Sequence, residues 1–292
     1  MSGMAQPTLS DRPAFRSLGP DEAKLALGLA AMHASAATLD MAERILGDRR
    51  KAWGTVRRLV SKGWLQRASR GHYAFLPPDW GAEKVEDFDV LLLAASSVDS
   101  GYVGWWAAAS RHGFTTQVPH TIHVATERRM APREIQGTPI RYVRLPSHKF
   151  FGWQDTMTSG RSFRMSSPEK TVVDCVEKPD LCGGLTELAR IVGRAANGLT
   201  ADTLVDTATM FGTVSVCQRL GYLLDAAAPG YLTDPARAKL RGFVPPTARS
   251  VLGRLKREER DVGYVADWGL LVNAEEADIL SEVQEHGQGS RP

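Results

Sequence analysis

The chain contains 292 residues, of which 43% are hydrophobic and 24% charged; this ordinary globular composition excludes a wholly disordered chain and predicts about two domains. No apolar run approaches the roughly 18 to 20 residues that cross a bilayer, and the first twenty residues lack the continuous apolar stretch of a signal peptide. The formal net charge of +3 does not by itself indicate a partner, and we expect a cytoplasmic protein with no membrane partner.

Three helices are predicted near the N-terminus. The sequence Pro-Asp-Glu at positions 20–22 opens the first helix, because acidic side chains in a first turn interact favourably with the positive end of the helix dipole. Thr38 can cap a second, short helix that Gly47 ends. Asp48 can cap a third helix that continues to about Lys62.

A β-hairpin is predicted after the third helix. Residues 64–67 and 72–75 have strand character and flank a turn at residues 68–71. Three helices followed by a hairpin is the order of a winged helix-turn-helix. The proline-rich residues 77–81 cannot continue a central strand, so they predict a linker and a domain boundary near residue 80.

The rest of the chain predicts a larger mixed α/β domain that is mainly helical. Short β-branched stretches at 120–126 and 140–145 predict strands. Helices are predicted at residues 90–95, 103–111, 168–176, 185–196, 201–211, 213–226 and 235–240, with a frayed polar end after Ser281. The predicted class is α+β, with a lead at 1–19, a winged helix-turn-helix at 20–80, a C-terminal domain at 81–285 and a polar tail at 286–292.

Positive charge is concentrated in the predicted winged helix. Residues 1–80 carry 12 Lys or Arg against 7 Asp or Glu, and between positions 48 and 72 the sequence has one carboxylate, that of Asp48. The basic residues of this interval are Arg49, Arg50, Lys51, Arg57, Arg58, Lys62, Arg67 and Arg70. Such a helix and wing suit duplex DNA, since the helix can enter the major groove while the cations neutralise phosphates and release counterions.

Helical geometry predicts which of these residues approach the DNA. Those expected nearest the bases are Arg50, Lys51, Thr55 and Arg57, beside the small Gly54. Those expected on the wing, against the DNA backbone or minor groove, are Arg67, Ser69, Arg70 and His72. The alternative interpretation is that the basic helix is only a solvated face. Trp53 and Trp64 are interpreted as core residues, because aromatic residues flanking an apolar stripe are usually buried.

The sequence resembles the AbiEi family of antitoxins over nearly its whole length. In the N-terminal part the resemblance is carried by residues 57–64, RRLVSKGW, and by the wing residues 70–73, RGHY. The C-terminal matches are more specific: FFG at 150–152, SPEKT at 167–171 with Asp174, RLGYLL at 219–224 and DWGLLVN at 267–273.

The resemblance implies a protein with two functions. Its N-terminal domain would repress its own operon at inverted repeats in the promoter. Its C-terminal domain would counteract a cognate nucleotidyltransferase-like toxin of a type IV toxin–antitoxin system, an antagonism that does not require a stable protein complex.

Motifs for cofactor or metal chemistry are absent from the sequence, so we expect neither a cofactor nor a metal. The three cysteines, Cys175, Cys182 and Cys217, have no CxxC spacing and no nearby histidine, and they are interpreted as reduced, buried thiols. On a predicted strand, His120 and His123 point to opposite faces. No phosphate-binding glycine motif follows a predicted strand.

Two other functions remain open on the residues alone. The chain could be a plain DNA-binding regulator whose C-terminal domain senses a ligand or a partner. It could also be an enzyme, although we interpret Ser167 and Glu169 as parts of a helix cap and Lys170 and Asp174 as solvated helix residues rather than as a catalytic cluster.

Overall fold

The computed structural model describes residues 17–32, 34–76, 89–158, 161–253, 263–274 and 276–284. The predicted polar tail at 286–292 lies outside the described residues, as do the first sixteen residues of the predicted lead at 1–19. The chain divides into two compact units, one of Met1–Asp99 with Met157–Phe163 and one of Ser100–Thr156 with Arg164–Pro292. The first unit therefore continues past the predicted boundary near residue 80, which itself falls outside the described residues.

The first unit contains the predicted winged helix-turn-helix. Its elements are α1 (Pro20–Ala31), β1 (Ala36–Thr38), α2 (Leu39–Leu46), α3 (Arg49–Ser61), β2 (Leu65–Ser69), β3 (His72–Phe75) and α4 (Val90–Ser96). The strands form an antiparallel sheet in the order β1-β3-β2. A central β3 lets the wing hairpin pair with the short strand that precedes α2.

The local signals for α2 and α3 act as predicted. The Thr38 side chain accepts a hydrogen bond from the Met41 N–H, and that of Asp48 accepts one from the Lys51 N–H. Gly47 ends α2 with a left-handed backbone, φ 81°, which glycine adopts without a Cβ clash. Two caps and one stop thus fix the turn of the helix-turn-helix.

An apolar core holds these helices together. Ala52, Val56 and Leu59 of α3 are at most 1% exposed and pack with Leu25 of α1. Burial of one valine or leucine side chain contributes about 1.5–3 kcal/mol. Trp64 is 6% exposed, which confirms its predicted core position.

The second unit has α+β architecture, as expected. Its elements are β4 (Tyr102–Gly104), α5 (Trp105–Arg111), β5 (Ile122–Thr126), β6 (Arg133–Ile135), β7 (Thr138–Arg144), β8 (Trp153–Thr158), β9 (Arg161–Ser166), α6 (Pro168–Glu177), α7 (Leu185–Ala196), α8 (Ala201–Phe211), α9 (Val214–Ala227), α10 (Asp234–Gly242), β10 (Ser250–Val251), β11 (Gly263–Val265), β12 (Leu270–Val272) and α11 (Glu276–Gln284). Six strands form a mixed sheet in the order β6-β7-β5-β4-β9-β8, and three form a small sheet in the order β10-β12-β11. The adjoining ends of β8 and β9, residues 157–158 and 161–163, are grouped with the first unit.

The predicted helices of the second unit agree with the structure to within about two residues. Two expectations were wrong. The segment predicted as a helix from residue 103 begins with the strand β4, and α11 continues to Gln284 where a frayed tail was expected. Strand pairing between distant segments, which local periodicity does not encode, explains the first difference. Within the described residues, no helix is both long and apolar enough to span a bilayer.

A buried ionic cluster lies at the start of α6. Ser167 caps this helix as predicted, but Lys170 and Asp174 are 0% exposed, so the expectation that they are solvated was wrong. The Lys170 ammonium donates to Asp174 and, at 2.8 Å, to the phenol oxygen of Tyr102. Burial raises the pKa of Tyr102, so the phenol keeps its proton and donates it to the second Asp174 oxygen at 3.1 Å. Each partner is hydrogen-bonded, which is the condition for burying such charges.

The three cysteines are free and buried, as predicted. Burial raises the pKa of Cys217 to about 12. A thiol with such a pKa stays protonated at neutral pH and is inert as a nucleophile.

Candidate nucleic-acid interface

A groove of about 700 Å³ lies in the first unit between α3, the start of α2 and the wing hairpin β2–β3. As the second helix of the helix-turn-helix, α3 has the position of the recognition helix in this motif. Its lining residues are Thr38, Leu39, Asp40, Arg49, Trp53, Arg57, Arg67, Arg70, Gly71, His72, Tyr73 and Asp99. Five of the predicted DNA-binding residues are among them. These five are Arg49, Arg57, Arg67, Arg70 and His72.

One exposed stripe of α3 points away from the apolar core. Arg50, Trp53 and Arg57 are exposed and recur at the spacing of three and four residues that aligns side chains on one face. Trp53 is 52% exposed, so its predicted core position was wrong. The Arg57 guanidinium lies over the Trp53 ring, 4.7 Å from its centroid.

The adjoining side of α3 is partly exposed and forms ion pairs with α1. Arg58 Nε lies 2.8 Å from Oε1 of Glu22, and Lys62 Nζ lies 2.6 Å from Oε2 of the same carboxylate. Lys51 Nζ forms a 2.7 Å ion pair with Asp21. The positive charges of these three candidate residues are thus partly or wholly neutralised within the unit.

Thr55 requires a correction. Its side chain is 0% exposed, and its hydroxyl accepts a hydrogen bond from Arg58 Nη2 at 3.1 Å. Helical spacing placed it on a face with Lys51 and Arg58, but that face packs against α1. Thr55 is therefore withdrawn from the residues expected nearest the bases.

Ser69 on the wing requires the same correction. It is 6% exposed, and its hydroxyl donates to the carbonyl oxygen of Ser97 at 3.0 Å and lies 3.1 Å from Nδ1 of His72. His72 Nε2 lies 2.9 Å from the Asp99 carboxylate. Ser69 and His72 thus anchor the wing to the segment after α4, and Ser69 has no surface to offer a duplex.

Arg49 also has acidic partners, although it is well exposed. Its guanidinium lies 2.6 Å from Glu43 and 3.0 Å from Asp40, and these hydrogen bonds raise its pKa. Because the pairs join α3 to α2, Arg49 contributes to the helix-turn-helix geometry as well as to the surface charge. Asp40 and Asp99 lower the positive potential of the groove, and sequence analysis did not include them.

Four predicted arginines keep their charge available. Within the part of the chain that the structure describes, Arg50, Arg57, Arg67 and Arg70 are exposed and form no ion pair. Arg67 makes only a long hydrogen bond, 3.4 Å, to the Ser69 carbonyl. Two of these cations lie on α3 and two on the wing.

Comparisons with known proteins agree with this division. A family model described as "Transcriptional regulator, AbiEi antitoxin" matches residues 25–76, and one described as "AbiEi antitoxin C-terminal domain" matches residues 102–226. No curated protein sequence matches the chain significantly.

A solved structure has the same fold. The crystal structure of the RV2827C protein from Mycobacterium tuberculosis is similar with a TM-score of 0.56, at 19% sequence identity, over 93% of this chain and 97% of the other. At that identity the likeness concerns the fold alone. Because its two family models cover the winged helix and most of the second unit, the chain belongs to the AbiEi antitoxin family, as a regulator with an antitoxin domain.

Proposed function

We propose that this protein represses its own promoter and serves as the antitoxin of a type IV toxin–antitoxin system, counteracting a nucleotidyltransferase-like toxin. The observation that carries the DNA-binding half is the groove between α3 and the wing. Arg57, Arg67 and Arg70 line it, Arg50 lies one turn before Trp53 on the same face of α3, and none of the four has an acidic partner among the described residues. The proposed DNA is an inverted repeat in the promoter. One winged helix per chain then requires two copies on the repeat.

The charges divide into two roles in this proposal. Arg50 and Arg57 extend from the helix that enters the major groove, where an arginine can bind guanine O6 and N7. Arg67 and Arg70 lie on the wing, where contacts to phosphate position the protein without reading sequence. Lys51, Arg58 and Lys62 hold α3 against α1, so they support DNA binding indirectly.

Binding to the DNA upstream of the gene that encodes this chain tests the DNA-binding half of the proposal. Fluorescence anisotropy at several salt concentrations should show tight, selective binding that weakens as salt rises. Arg57→Ala should lower the affinity by about 1–3 kcal/mol if it contacts a base, and Arg70→Ala should reduce the salt slope by about one. Arg129→Ala, an exposed arginine of the second unit, is the matched control. Wild-type affinity in both groove variants would refute this interface.

The antitoxin half is tested by co-expression with the nucleotidyltransferase-like protein encoded beside this chain. We expect the wild type to restore growth, and the double variant Arg57→Ala Arg70→Ala to restore it equally when both are expressed from an unrelated promoter. Restoration without co-purification of the two proteins would support a functional rather than a stable physical partnership. A genome neighbourhood without such a toxin would contradict the proposal. We propose no catalytic step for this chain and place its action in the cytoplasm.

A second candidate function is supported by a cavity of about 590 Å³ in the second unit. Its lining includes Tyr142, Arg144, Lys178, Leu181 and Arg219, a mixture of apolar and charged groups that suits a small ligand. In this case the chain is a DNA-binding regulator that senses a ligand. Intact DNA binding with no protection against the toxin would favour this function over the first.

A further inference from the structure

Trp53 is an exposed indole at the centre of the proposed DNA-binding face. It lies one helical turn from both Arg50 and Arg57 and lines the groove beside the wing. Its 52% exposure leaves a large apolar surface in water. The core of the unit is completed by other residues, including Trp64 at 6% exposed. Core packing therefore does not account for Trp53.

The Arg57 guanidinium partly occupies one face of this indole. A cation placed over an aromatic ring is attracted to its π electrons, so the contact restricts the long arginine side chain. The two side chains form one exposed unit, a flat apolar ring with a cation stacked over one of its faces. Asp40 and Asp99, the acids of the groove, are paired with Arg49 and His72 and do not neutralise Arg57.

An indole on a helix in the major groove meets the edges of stacked bases. The apolar group on those edges is the C5-methyl of thymine, which cytosine and the purines lack. The cation beside it suits the acceptors O6 and N7 of guanine. Trp53 and Arg57 together would therefore recognise a thymine next to a guanine.

We propose that Trp53 determines sequence specificity by contacting thymine methyl groups in the major groove and by holding Arg57 toward the neighbouring base. This inference rests on the proposed DNA-binding function. The charge pattern of α3 predicts only contacts made by cations, and the proposal adds an apolar contact made by Trp53.

The experiment uses the shortest duplex from the DNA upstream of the gene that the chain still binds selectively. Two versions of this duplex are compared. One version contains thymine and the other deoxyuridine throughout, so that base pairing and charge are equal and only the methyl groups differ. Wild type should bind the deoxyuridine duplex about fourfold more weakly for each methyl contacted. Trp53→Ala should bind both duplexes equally, at the weaker affinity.

Leu27→Ala is the matched control, since Leu27 is an apolar side chain of the same unit that is 62% exposed on α1 and lies outside the groove. It should keep the wild-type preference for thymine. Trp53→Phe, which keeps an aromatic surface, should keep part of it and provides a second variant if the alanine variant folds poorly.

Two results would overturn the proposal while leaving the proposed function intact. One is selective binding by the wild type with no difference between thymine and deoxyuridine. The other is an undiminished difference in Trp53→Ala. If the wild type binds no duplex selectively, the proposed function and this inference fail together. The thymine assignment would also be overturned if the chain bound single-stranded RNA, or a second copy of itself, as tightly as the duplex and lost that binding in Trp53→Ala.

Discussion

Glu22 holds Arg58 on the side of the recognition helix that faces away from the groove. Glu22 is 3% exposed, and its carboxylate lies 2.8 Å from Nε of Arg58, thirty-six residues further along the chain. Burial by itself raises the pKa of Glu22, but hydrogen bonds from the Gly19 N–H, Lys62 and Arg58 more than offset it and lower the pKa below its usual value. The position of α3 on α1 therefore depends on an ionised carboxylate.

Glu22→Gln should lower the free energy of unfolding by about 1–3 kcal/mol at pH 7, because charge-assisted hydrogen bonds are lost and two cations lose their partner. Urea denaturation followed by circular dichroism measures this difference. Since the folded-state pKa is lowered, the stabilisation is present above the unfolded pKa and is lost as pH falls through the folded value. The variant should therefore lose less stability than the wild type on acidification below about pH 4.

Asp21→Asn is the control for this prediction. It removes the more exposed ion pair with Lys51 on the same helix and should cost less than about 1 kcal/mol. Equal losses in the two variants would contradict the role assigned to Glu22.

Asp174→Asn should destabilise the second unit by about 3–5 kcal/mol, because it leaves the Lys170 ammonium buried without a counter-charge. The double variant Lys170→Met Asp174→Leu should recover most of this loss, since it removes both charges and keeps the volume. Thermal and urea denaturation of the two variants measure the difference. If the double variant is as unstable as the single one, the loss of stability does not come from an uncompensated charge on Lys170, and the prediction is wrong.

The same double variant tests the enzyme hypothesis. A well-folded double variant that still protects against the toxin excludes a catalytic role for Lys170 and Asp174. Loss of protection in a folded protein would revive that role.

Gly221→Ala should lower the free energy of unfolding by about 1–3 kcal/mol, because a Cβ there would come closer than 3.0 Å to the buried ring of Trp268. The ring cannot move away freely, since Trp268 is 1% exposed and its Nε1 donates to Asp225 at 2.8 Å. Gly242→Ala, where a Cβ meets no atom within 4 Å, is the control and should be neutral or slightly stabilising. Equal melting temperatures for the two variants would contradict this packing.

His123 should make the stability of the protein depend on pH between about 6.5 and 4. Burial, followed by the charge of Arg141, lowers its pKa to about 4. In this interval the unfolded chain binds a proton that the folded chain does not, so stability falls as pH falls, by at most about 1.4 kcal/mol per pH unit. His123→Phe should reduce the difference in unfolding free energy between pH 7 and pH 5.

The matched control is His120→Phe, which changes an exposed histidine three residues earlier. It should keep the wild-type pH dependence. An unchanged slope in His123→Phe would assign the acid sensitivity to other groups.

The sequence by itself determined the features that depend on neighbours along the chain. The caps Thr38, Asp48 and Ser167, the stop at Gly47 and the order of helices and hairpin are local signals, and the structure contains each of them. The basic interval of the winged helix and the family motifs could be identified from the sequence for the same reason. Each depends on which residues lie within a few positions of one another.

Only the tertiary structure decided which side of the recognition helix is free. Helical periodicity groups Lys51, Thr55 and Arg58 on one face, but it does not say whether that face meets α1 or DNA. The answer came from Glu22, which is distant in sequence, just as Tyr102 decided that Lys170 is buried. Exposure of Trp53 followed from the same packing. Which elements pack against each other depends on how much apolar surface the whole fold buries, and that packing decides which distant side chains meet. The periodicity of a single segment does not contain this information.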